Sequence, residues 1–374
     1  MRTIFLRHGG MSNTIPPTMD PRRFHKRLLD AIVDILPVGA KIVCAVSGGI
    51  DSVAMLHGLV AVNEIHERKW LLQIAHLDHG LRDSSIEDAR FVETLARSLG
   101  LPHTCRTEDV GGEAKRSGES PEEVGRRLRY AFLEEVAEQV GAGYICVAHH
   151  ADDQAETVLH RILRGTGIRG LSGMAPVRPV HHDSTIQLVR PLLSFERRDL
   201  QAYLESRKLD WRHDHTNDDP AAATRNKIRH ELLPRLRDTF NAEITAALTR
   251  LAENARRAND AIHQLALDAL RHMHLDELPT SIRLAVAPIV ALPAAVQGEI
   301  IILILNRLDA SRKEIGFERM DAILELVTGG DHKRHIELPG GSIVMRQGKW
   351  LTIERITPPA SNFNVTNPQD AAQA

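Results

Sequence analysis

Short apolar runs alternate with longer amphipathic segments over roughly the first 220 residues of the chain. The runs at Lys41–Val46, Leu71–Leu77, His103–Thr107 and Tyr144–Val147 have the length and the bounding residues of strands. Helical patterns of about twelve or more residues separate them. A pair of parallel strands needs a crossover connection of this length, which is usually a helix. The pattern therefore predicts an α/β domain built on a parallel sheet.

Beyond residue 220 this alternation stops and helical patterns take over. In Ala242–Met273 the apolar positions recur every three to four residues, which is typical of an amphipathic helix, and another helix is expected around Phe317–Val327. Strand-like runs then follow at Arg334–Leu338, Ser342–Arg346 and Trp350–Ile356, with glycine-containing turns between them. We expect a helical domain followed by a small antiparallel unit.

The same patterns give expected domain boundaries. These are a leader without ordered structure at 1–20, an α/β catalytic domain at 21–235, a helical domain at 236–330, a small β-containing unit at 331–357 and a disordered tail at 358–374. An amphipathic helix is expected over Arg22–Leu36. Residues 110–120 are rich in glycine and charge, which favours a flexible loop, and Ser120 before Pro121 is typical of the start of the next helix.

Composition limits the classes of function. The chain has 374 residues, more than one core usually holds, and its formal net charge of −2 lacks the positive excess of a small nucleic-acid-binding domain. Any RNA contact must therefore use local basic patches. Cys44, Cys105 and Cys146 are isolated, which disfavours disulfides and C-x-x-C sites. Because the longest fully apolar stretch, Ile300–Leu305, is too short to span a bilayer, we expect a cytoplasmic protein without a membrane partner.

The most informative motif directly follows the first predicted strand. It consists of Ser47, Gly48, Gly49, Ile50, Asp51 and Ser52, and a helical pattern begins at its end. Glycines let the backbone approach an anion, the helix N-terminus supplies free N–H groups and serine hydroxyls add donors, so this segment is suited to hold phosphates. It lacks the lysine of the P-loop pattern and the third glycine of the dinucleotide fingerprint. The S-G-G-x-D-S pattern instead resembles the pyrophosphate loop of N-type ATP pyrophosphatases, and an ordinary glycine-containing turn is the alternative.

Polar side chains also follow the second and the fourth predicted strands. The first group is His76, Asp78, His79 and Arg82, and the second lies in Ala148–Thr157. Because ligands of parallel sheets bind at the carboxyl ends of the strands, we expect both groups to face the same pocket as the glycine-rich loop.

The second group contains candidate metal ligands. His149, His150, Asp152 and Asp153 carry side chains that suit a transition metal, but adjacent residues rarely converge on one ion. Magnesium bound together with ATP needs only one or two carboxylates, and Asp51, Asp152 and Asp153 are the candidates. Asp152 could also cap the helix that follows.

Two local basic clusters are candidates for RNA contacts. Helical spacing puts Arg126 and Arg129 on one face of the segment that begins at Glu122, where guanidinium groups could bind phosphates bidentately. Residues 224–230 concentrate further cations within one short segment. A solvated, salt-bridged helix face is the alternative for both clusters.

Together these segments resemble the tRNA(Ile)-lysidine synthetase family. The resemblance rests on SGGIDS, HLDHGLR, EEVGRRLRY, AHHADDQAETVLHRILRGTGIRGLSGM, VRPLL and DHTNDDPAAATRNKIRHELLP, which cover roughly residues 38–235 in the order that the family uses. The block from DDQAET to GTGIRGLSGM and the RNKIRHELLP segment are much more specific than the loop alone. The helical region and the LPGG segment with its strands resemble the appended domains of the family. Gly125 departs from the family pattern, in which a better helix former is common.

The resemblance implies an enzyme that ligates free L-lysine to C2 of the wobble cytidine, position 34, of a tRNA(Ile) with a CAU anticodon. ATP adenylates the C2 oxygen with release of pyrophosphate, and the lysine ε-amine then displaces AMP to give lysidine. Codon specificity changes from AUG to AUA, and amino-acid identity from Met to Ile. The implied cofactors are ATP, as a substrate, and Mg²⁺, and a homodimer is left open.

The resemblance also implies roles for individual residues. ATP binding falls to Ser47, Gly48, Gly49, Ile50, Asp51, Ser52, His76, Asp78, His79 and Arg82, with Mg²⁺ at Asp51. Catalysis falls to Asp51, His150, Asp152, Asp153 and Glu156, and either a carboxylate or His150 must deprotonate the lysine amine. The residues that would bind tRNA or stabilise the active site are Arg126, Arg129, Arg225, Asn226, Arg229 and His230.

Other functions are compatible with the same loop. An ATP-dependent tRNA thiolase generally needs clustered cysteines, which this chain lacks, and an amide-forming synthetase would need a glutaminase segment, which is not visible. A non-catalytic RNA-binding protein that keeps the sheet as a scaffold is the alternative from another class. The intact loop serines and the aspartate-rich cluster disfavour it, and release of pyrophosphate would distinguish an enzyme from a binding protein.

Overall fold

The described residues form two compact units in a computed structural model. The description covers 19–80, 85–181, 183–212, 224–308, 316–329, 334–338 and 341–355. The first unit comprises the described residues up to Arg164 together with Gly173–Ala252. The second comprises Gly165–Ser172 and the described residues from Glu253 onward. The expected leader, apart from its last two residues, and the expected tail lie outside the described residues, and the predicted domain boundaries remain predictions.

The first unit is built on a six-stranded sheet in the order β3-β2-β1-β4-β6-β5. Its strands are β1 (Lys41–Ala45), β2 (Leu71–Asp78), β3 (His103–Thr107), β4 (Tyr144–Cys146), β5 (Val177–Pro179) and β6 (Gln187–Val189). All neighbours are parallel except β5, which runs antiparallel to β6 at one edge. The predicted α/β class is therefore confirmed, and each of the four predicted strands lies within one residue of its expected position.

Helices cover both faces of this sheet. Those of the first unit are α1 (Pro21–Ile32), α2 (Ile50–Ile65), α3 (Ser85–Ser98), α4 (Val110–Ser117), α5 (Pro121–Val140), α6 (Ala151–Leu163), α8 (Arg197–Ser206), α9 (Thr224–Lys227), a π-helical turn at Ile228–Leu232, and α10 (Leu233–Thr239). The short helix α7 (Ile168–Leu171) belongs to the second unit. The long helix α11 (Ile244–Arg271) begins in the first unit and ends in the second. One face packs against α1, α2 and α8, where the rings of Phe24 and Tyr203 stack with centroids 3.9 Å apart. On the other face α5 packs through Phe132, Leu133 and Val136.

The expected flexible loop over residues 110–120 is wrong for most of that range, because α4 occupies Val110–Ser117. Asp109 caps this helix by accepting a hydrogen bond from Gly112 N at 2.8 Å, and Gly118 ends it in the left-handed conformation at φ 74°. Val110 also packs against Val124 of α5. The start of α5 is confirmed, since Ser120 forms a capping box with Glu123, and Gly125 leaves the helix unbroken.

The second unit contains a five-stranded antiparallel sheet in the order β7-β8-β11-β10-β9. Its strands are β7 (Leu275–Leu278), β8 (Ser281–Ala285), β9 (Arg334–Leu338), β10 (Ser342–Gln347) and β11 (Trp350–Arg355), and its further helices are α12 (Val286–Val290), α13 (Ala294–Arg307) and α14 (Phe317–Thr328). The strands β9, β10 and β11 confirm the antiparallel unit that was predicted near the C-terminus. The hairpin of β7 and β8 lies inside the range expected to be helical, and it joins the later strands because Ile282 and Leu284 bury one side of β8. Among the described residues, no helix combines the length and apolar composition needed to cross a lipid bilayer.

Close packing between α1 and α2 predicts that Gly58→Ala destabilises the protein. A Cβ at Gly58 would lie 2.7 Å from Leu28 and 2.9 Å from Phe24. We expect the free energy of unfolding to fall by about 1–3 kcal/mol, even though alanine is the better helix former. Urea denaturation measures the change, with Gly143→Ala as a control because nothing lies within 4 Å of its Cβ position. Equal stability of the Gly58 variant and the wild type would contradict the packing described.

Candidate active site

Loops that follow β1, β4 and β6 meet at the carboxyl edge of the sheet and enclose a polar cavity of about 610 Å³. The acids in its wall are Asp51, Asp152, Asp153, Glu156 and Glu196, and the basic residues include His150, Arg197, Arg229 and Arg237. The sheet order changes direction beside β1, which is where parallel sheets bind ligands. The cavity thus combines two of the predicted segments with arginines from later parts of the chain.

The glycine-rich loop is held in a shape that leaves donors available. Gly48 has φ 89°, a conformation that favours glycine, and its carbonyl accepts a hydrogen bond from Arg212 N at 2.9 Å. Ser52 Oγ donates to Gly49 O at 2.9 Å and lies 3.2 Å from Ser47 Oγ. Gly49 is the N-cap of α2 and supplies no side-chain cap, so the first N–H groups of this long helix face the loop. Such an arrangement suits a phosphate group.

Asp51 sits in the first turn of α2, with one carboxylate oxygen uncommitted. Among the described residues, its buried Oδ1 has no hydrogen-bond partner, and Oδ2 lies 3.6 Å from His150 Nε2. No group of three or more His, Cys, Asp or Glu in the described ranges is arranged to hold a metal ion by itself. A single free carboxylate oxygen beside a phosphate loop fits Mg²⁺ that takes its other ligands from phosphates and water.

His150 lies at the centre of three carboxylates. Its ring nitrogens are 3.6 Å from Asp51 Oδ2, 3.5 Å from Asp152 Oδ2 and 3.6 Å from Asp153 Oδ2. Burial alone would lower the pKa of His150, but the three carboxylates outweigh it and raise the pKa from 6.5 to about 10. An imidazole that is protonated at neutral pH cannot accept the lysine proton. His150 is also the N-cap of α6, and its Nδ1 accepts a hydrogen bond from Asp152 N at 3.2 Å, which needs a neutral ring. The carboxylates thus favour a charged ring and the cap a neutral one, and the role of His150 as a base stays a prediction.

The carboxylates of α6 are also paired with arginines. Asp152 Oδ2 accepts from the backbone N–H of Arg197 at 2.9 Å, and its Oδ1 lies 3.3 Å from Arg237 Nη2. Although burial opposes ionisation, the hydrogen bonds from His150 and Arg197 lower the pKa of Asp152 to about 2. Arg229 Nη2 donates to Asp153 Oδ1 and to Glu156 Oε2, both at 2.9 Å. Burial raises the pKa of Glu156, and Arg229 opposes that shift.

These contacts change the interpretation of the cluster at residues 224–230. Arg229 is held inside the site by two carboxylates, which favours the stabilising role over the tRNA-binding role predicted for it. Arg225 instead lies on the exposed side of α9, 4.0 Å from Glu122. Asn226 and His230 are half-buried in the same segment, and their roles remain predictions.

The polar residues at the end of β2 and directly after it form a group separate from this cavity, in which His76 and Asp78 are buried and His79 is half-buried. His76 Nδ1 is 2.8 Å from Val46 O, while its Nε2 has no partner among the described residues. Asp78 accepts a hydrogen bond from Gly80 N at 2.9 Å. Burial and the neighbouring Arg129 lower the pKa of His79 to about 4, so its ring is neutral. Arg82, predicted to contact the nucleotide, lies outside the described residues.

A cluster of four arginines surrounds Tyr130 on the same edge of the sheet. The guanidinium carbons of Arg126 and Arg178 are 5.1 and 5.9 Å from the Tyr130 ring centroid. Arg129 Nη2 is 3.0 Å from His79 Nε2, and Arg190 Nε donates to His149 Nδ1 at 3.2 Å. In the described part of the chain these arginines contact histidines, carbonyls and the tyrosine, and no carboxylate pairs with them.

This Tyr130 cluster is suited to bind an anion. Burial lowers the pKa of Arg190 to about 10 and that of His149 to about 4. Four guanidinium groups without an acid partner leave positive charge uncompensated, which favours phosphate. The sequence prediction contained Arg126 and Arg129 but missed Arg178 and Arg190, since these two come from β5 and from the residue after β6.

The charge balance around His150 predicts a pH-dependent contribution to stability. Because its pKa is raised in the folded protein, the stabilisation is complete below about pH 6.5 and is lost as the pH rises towards 10. We therefore expect His150→Gln to reduce the free energy of unfolding strongly at pH 6 and much less at pH 9.5. Urea denaturation of both proteins at the two pH values measures this difference. A loss that stays the same at both values would show that His150 is not an imidazolium in the folded protein.

Comparison with known proteins agrees with this fold. Residues 21–236 match the model of the PP-loop domain family. The tRNA(Ile)-lysidine synthase of Geobacter sulfurreducens is 39% identical over 319 residues, which are 85% of this chain and 65% of that protein. The protein of the same name from Solibacter usitatus is 33% identical over 84% of this chain and 67% of its own length. The chain thus spans about two thirds of the length of these relatives.

A solved structure shares the fold at low identity. The U34-tRNA thiolase NcsA from Methanococcus maripaludis, with its 4Fe-4S cluster, aligns with a TM-score of 0.50 and 16% identity over 62% of this chain and 78% of that one. At this identity the likeness concerns the fold alone. The match to the PP-loop domain covers residues 21–236, which is more than half of the chain. Together with the identity to the two relatives, it shows that the chain belongs to the tRNA(Ile)-lysidine synthase family of PP-loop proteins.

Proposed function

We propose that the protein ligates free L-lysine to C2 of cytidine 34 in tRNA(Ile) with a CAU anticodon, at the expense of ATP. The product, lysidine, would change the codon read from AUG to AUA and the amino-acid identity from Met to Ile. The observation that favours this function most is the Asp51 oxygen without a hydrogen-bond partner, which lies between the glycine-rich loop and a cavity lined by four further carboxylates. The names of the relatives support the same substrate.

In the first step the cytidine O2 would attack the α-phosphorus of ATP. A new O–P bond forms, the bond from this phosphorus to the bridging oxygen breaks, and pyrophosphate leaves with the electron pair. The N–H groups at the start of α2 and the hydroxyl of Ser47 would hold the phosphates, while Ser52, which donates to Gly49 O, would support the shape of the loop. Asp51 would hold Mg²⁺, which supplies charge neutralisation on the phosphate oxygens.

In the second step the lysine ε-amine would attack C2, the C2–O2 bond would break, and AMP would leave with the oxygen. The acids of the cavity suit the ammonium groups of lysine, and Arg229 orients two of them. The amine must lose a proton before it attacks. Of the predicted acceptors, Glu156 suits this role best because burial raises its pKa, whereas the pKa of Asp152 is about 2 and Nδ1 of His150 already accepts a hydrogen bond from Asp152 N.

The RNA would contact the positive surface at the same edge of the sheet. The Tyr130 cluster offers Arg126 and Arg129 to phosphates next to the target base, and Arg225 offers an exposed cation on α9. Such phosphate contacts would fix the position of the RNA without recognising its base sequence. Discrimination of tRNA(Ile) from tRNA(Met) would then depend on other surfaces.

Sulfur transfer is disfavoured by the positions of the cysteines. Cys44 and Cys146 are paired neighbours on β1 and β4 and are fully buried in the sheet. Burial raises the pKa of Cys44 to about 12, so neither thiol is placed or ionised as a nucleophile. Cys105 lies on β3, away from both.

Incorporation of radiolabelled lysine tests the proposal. Purified protein is incubated with ATP, Mg²⁺, labelled lysine and the CAU-anticodon tRNA(Ile) transcript, and stable label in RNA and released AMP are measured. We expect label that disappears when the wobble cytidine is replaced by uridine. Pyrophosphate release without lysine incorporation would contradict lysine as the nucleophile.

We also expect Asp51→Ala to abolish pyrophosphate release while the protein remains folded, because the variant lacks the only carboxylate in the first turn of α2. Asp30→Ala is the matched control, since this exposed aspartate pairs with Lys26 on the surface of α1. Pyrophosphate release is measured with ATP and tRNA, and thermal unfolding checks the fold. Near-normal release by a folded Asp51 variant would exclude this residue from the site.

A further inference from the structure

The arginines of the cavity differ in what their guanidinium groups contact. Arg229 is bonded to Asp153 and Glu156, and Arg237 contacts Asp152 and Thr245. The positive charges of these two arginines are thus already neutralised by carboxylates of the protein. Arg198 is held in the same way, by Glu196 at 2.9 Å and Glu243 at 3.1 Å.

Arg197 is the exception among the described cavity residues. Its nearest acid is Asp51, with 3.9 Å between Arg197 Nε and Asp51 Oδ1, which is too long for a hydrogen bond. Its side chain is 61% exposed. The guanidinium therefore remains close to the phosphate loop without being fixed to it.

The backbone of Arg197 is anchored although its side chain is not. The residue begins α8, and its N–H donates to Asp152 Oδ2 at 2.9 Å. The Asp51 contact places the side chain beside the N-terminus of α2, where Gly49 provides no side-chain cap. An anion at that helix end would thus meet free N–H groups on one side and a cation on the other.

We propose that Arg197 binds the β- and γ-phosphates of ATP and stabilises pyrophosphate as it leaves. This inference rests on the proposed function and assigns a further residue to its first step. When the bond between the α-phosphorus and the bridging oxygen breaks, the electron pair and the negative charge pass to pyrophosphate. The guanidinium of Arg197 is not hydrogen-bonded to Asp51, so it can turn towards phosphate oxygens. Its planar pair of N–H donors matches the geometry of a phosphate group.

Substitution of arginines inside and outside the cavity tests this assignment. Arg197→Ala and Arg197→Lys are compared with Arg97→Ala, which removes an exposed arginine that pairs with Glu93 on α3, outside the cavity. Two quantities are measured on the full chain: the affinity for pyrophosphate with Mg²⁺ by calorimetry, and the rate of pyrophosphate release from ATP in single turnovers with saturating tRNA. Thermal unfolding checks that each variant is folded.

We expect Arg197→Ala to weaken pyrophosphate binding at least tenfold and to slow its release about 100-fold, as loss of one donor to developing charge does in other enzymes. Arg197→Lys should lie between this variant and the wild type, because it keeps the charge but loses the paired donors. Arg97→Ala should stay within about threefold of the wild type in both measurements, because it removes only a surface ion pair.

Two other outcomes are distinguishable. If the wild type binds pyrophosphate and releases it from ATP while Arg197→Ala matches it in both measurements, the role of Arg197 is refuted and the proposed function stands. If the wild type neither binds pyrophosphate nor releases it from ATP, the proposed function fails first, and the role of Arg197 fails with it.

Discussion

The site depends on one electrostatic constraint, the placement of the buried His150 ring among three carboxylates, which raise its pKa and favour a positive charge there. His150 contacts Asp51 from the phosphate loop helix and both Asp152 and Asp153 from α6. Without this positive charge, three acids within a short distance would repel one another and raise their own pKa values. The cation thus lets the acids stay ionised close together, and it couples the loop after β1 to the loop after β4.

His149 and His150 divide the carboxyl edge of the sheet into two regions of opposite charge. The backbone at His150 is extended, with φ −126° and ψ −177°, so the two adjacent side chains point in different directions. His150 faces the acids, which raise its pKa, whereas burial lowers the pKa of His149, which faces Arg190 of the Tyr130 cluster. The proposed reaction, with lysine, ATP and RNA as substrates, would need regions of both signs, and these two adjacent residues lie where the regions meet.

Much of this arrangement could be predicted from the sequence. The strands are visible as apolar runs, and the S-G-G-x-D-S motif after β1 predicts a phosphate loop from its residue types and spacing. Because ligands of parallel sheets bind at the carboxyl ends of the strands, His150 and Asp152, which follow another strand, are expected near that loop. These features are local in the chain or follow from the order of the strands.

Other features depend on contacts that no local pattern encodes. Arg190, Arg197 and Arg237 reach the site from segments remote from the first motifs, and only the folded chain shows which carboxylate or histidine each one meets. The raised pKa of His150 likewise results from three acids around one ring, so the sequence left open whether His150 or a carboxylate acts as the base. The glycines and charged residues of 110–120 are typical of a loop, so the sequence did not indicate α4. This helix is stabilised by the cap at Asp109 and by burial of Val110, which depend on the folded chain.

A crystal structure with Mg²⁺ and a non-hydrolysable ATP analogue tests the central claim most directly. The account predicts phosphates in the loop of Ser47–Ser52, with Mg²⁺ in contact with Asp51 Oδ1. Phosphates bound in the Tyr130 cluster, with the loop and Asp51 unengaged, would contradict it.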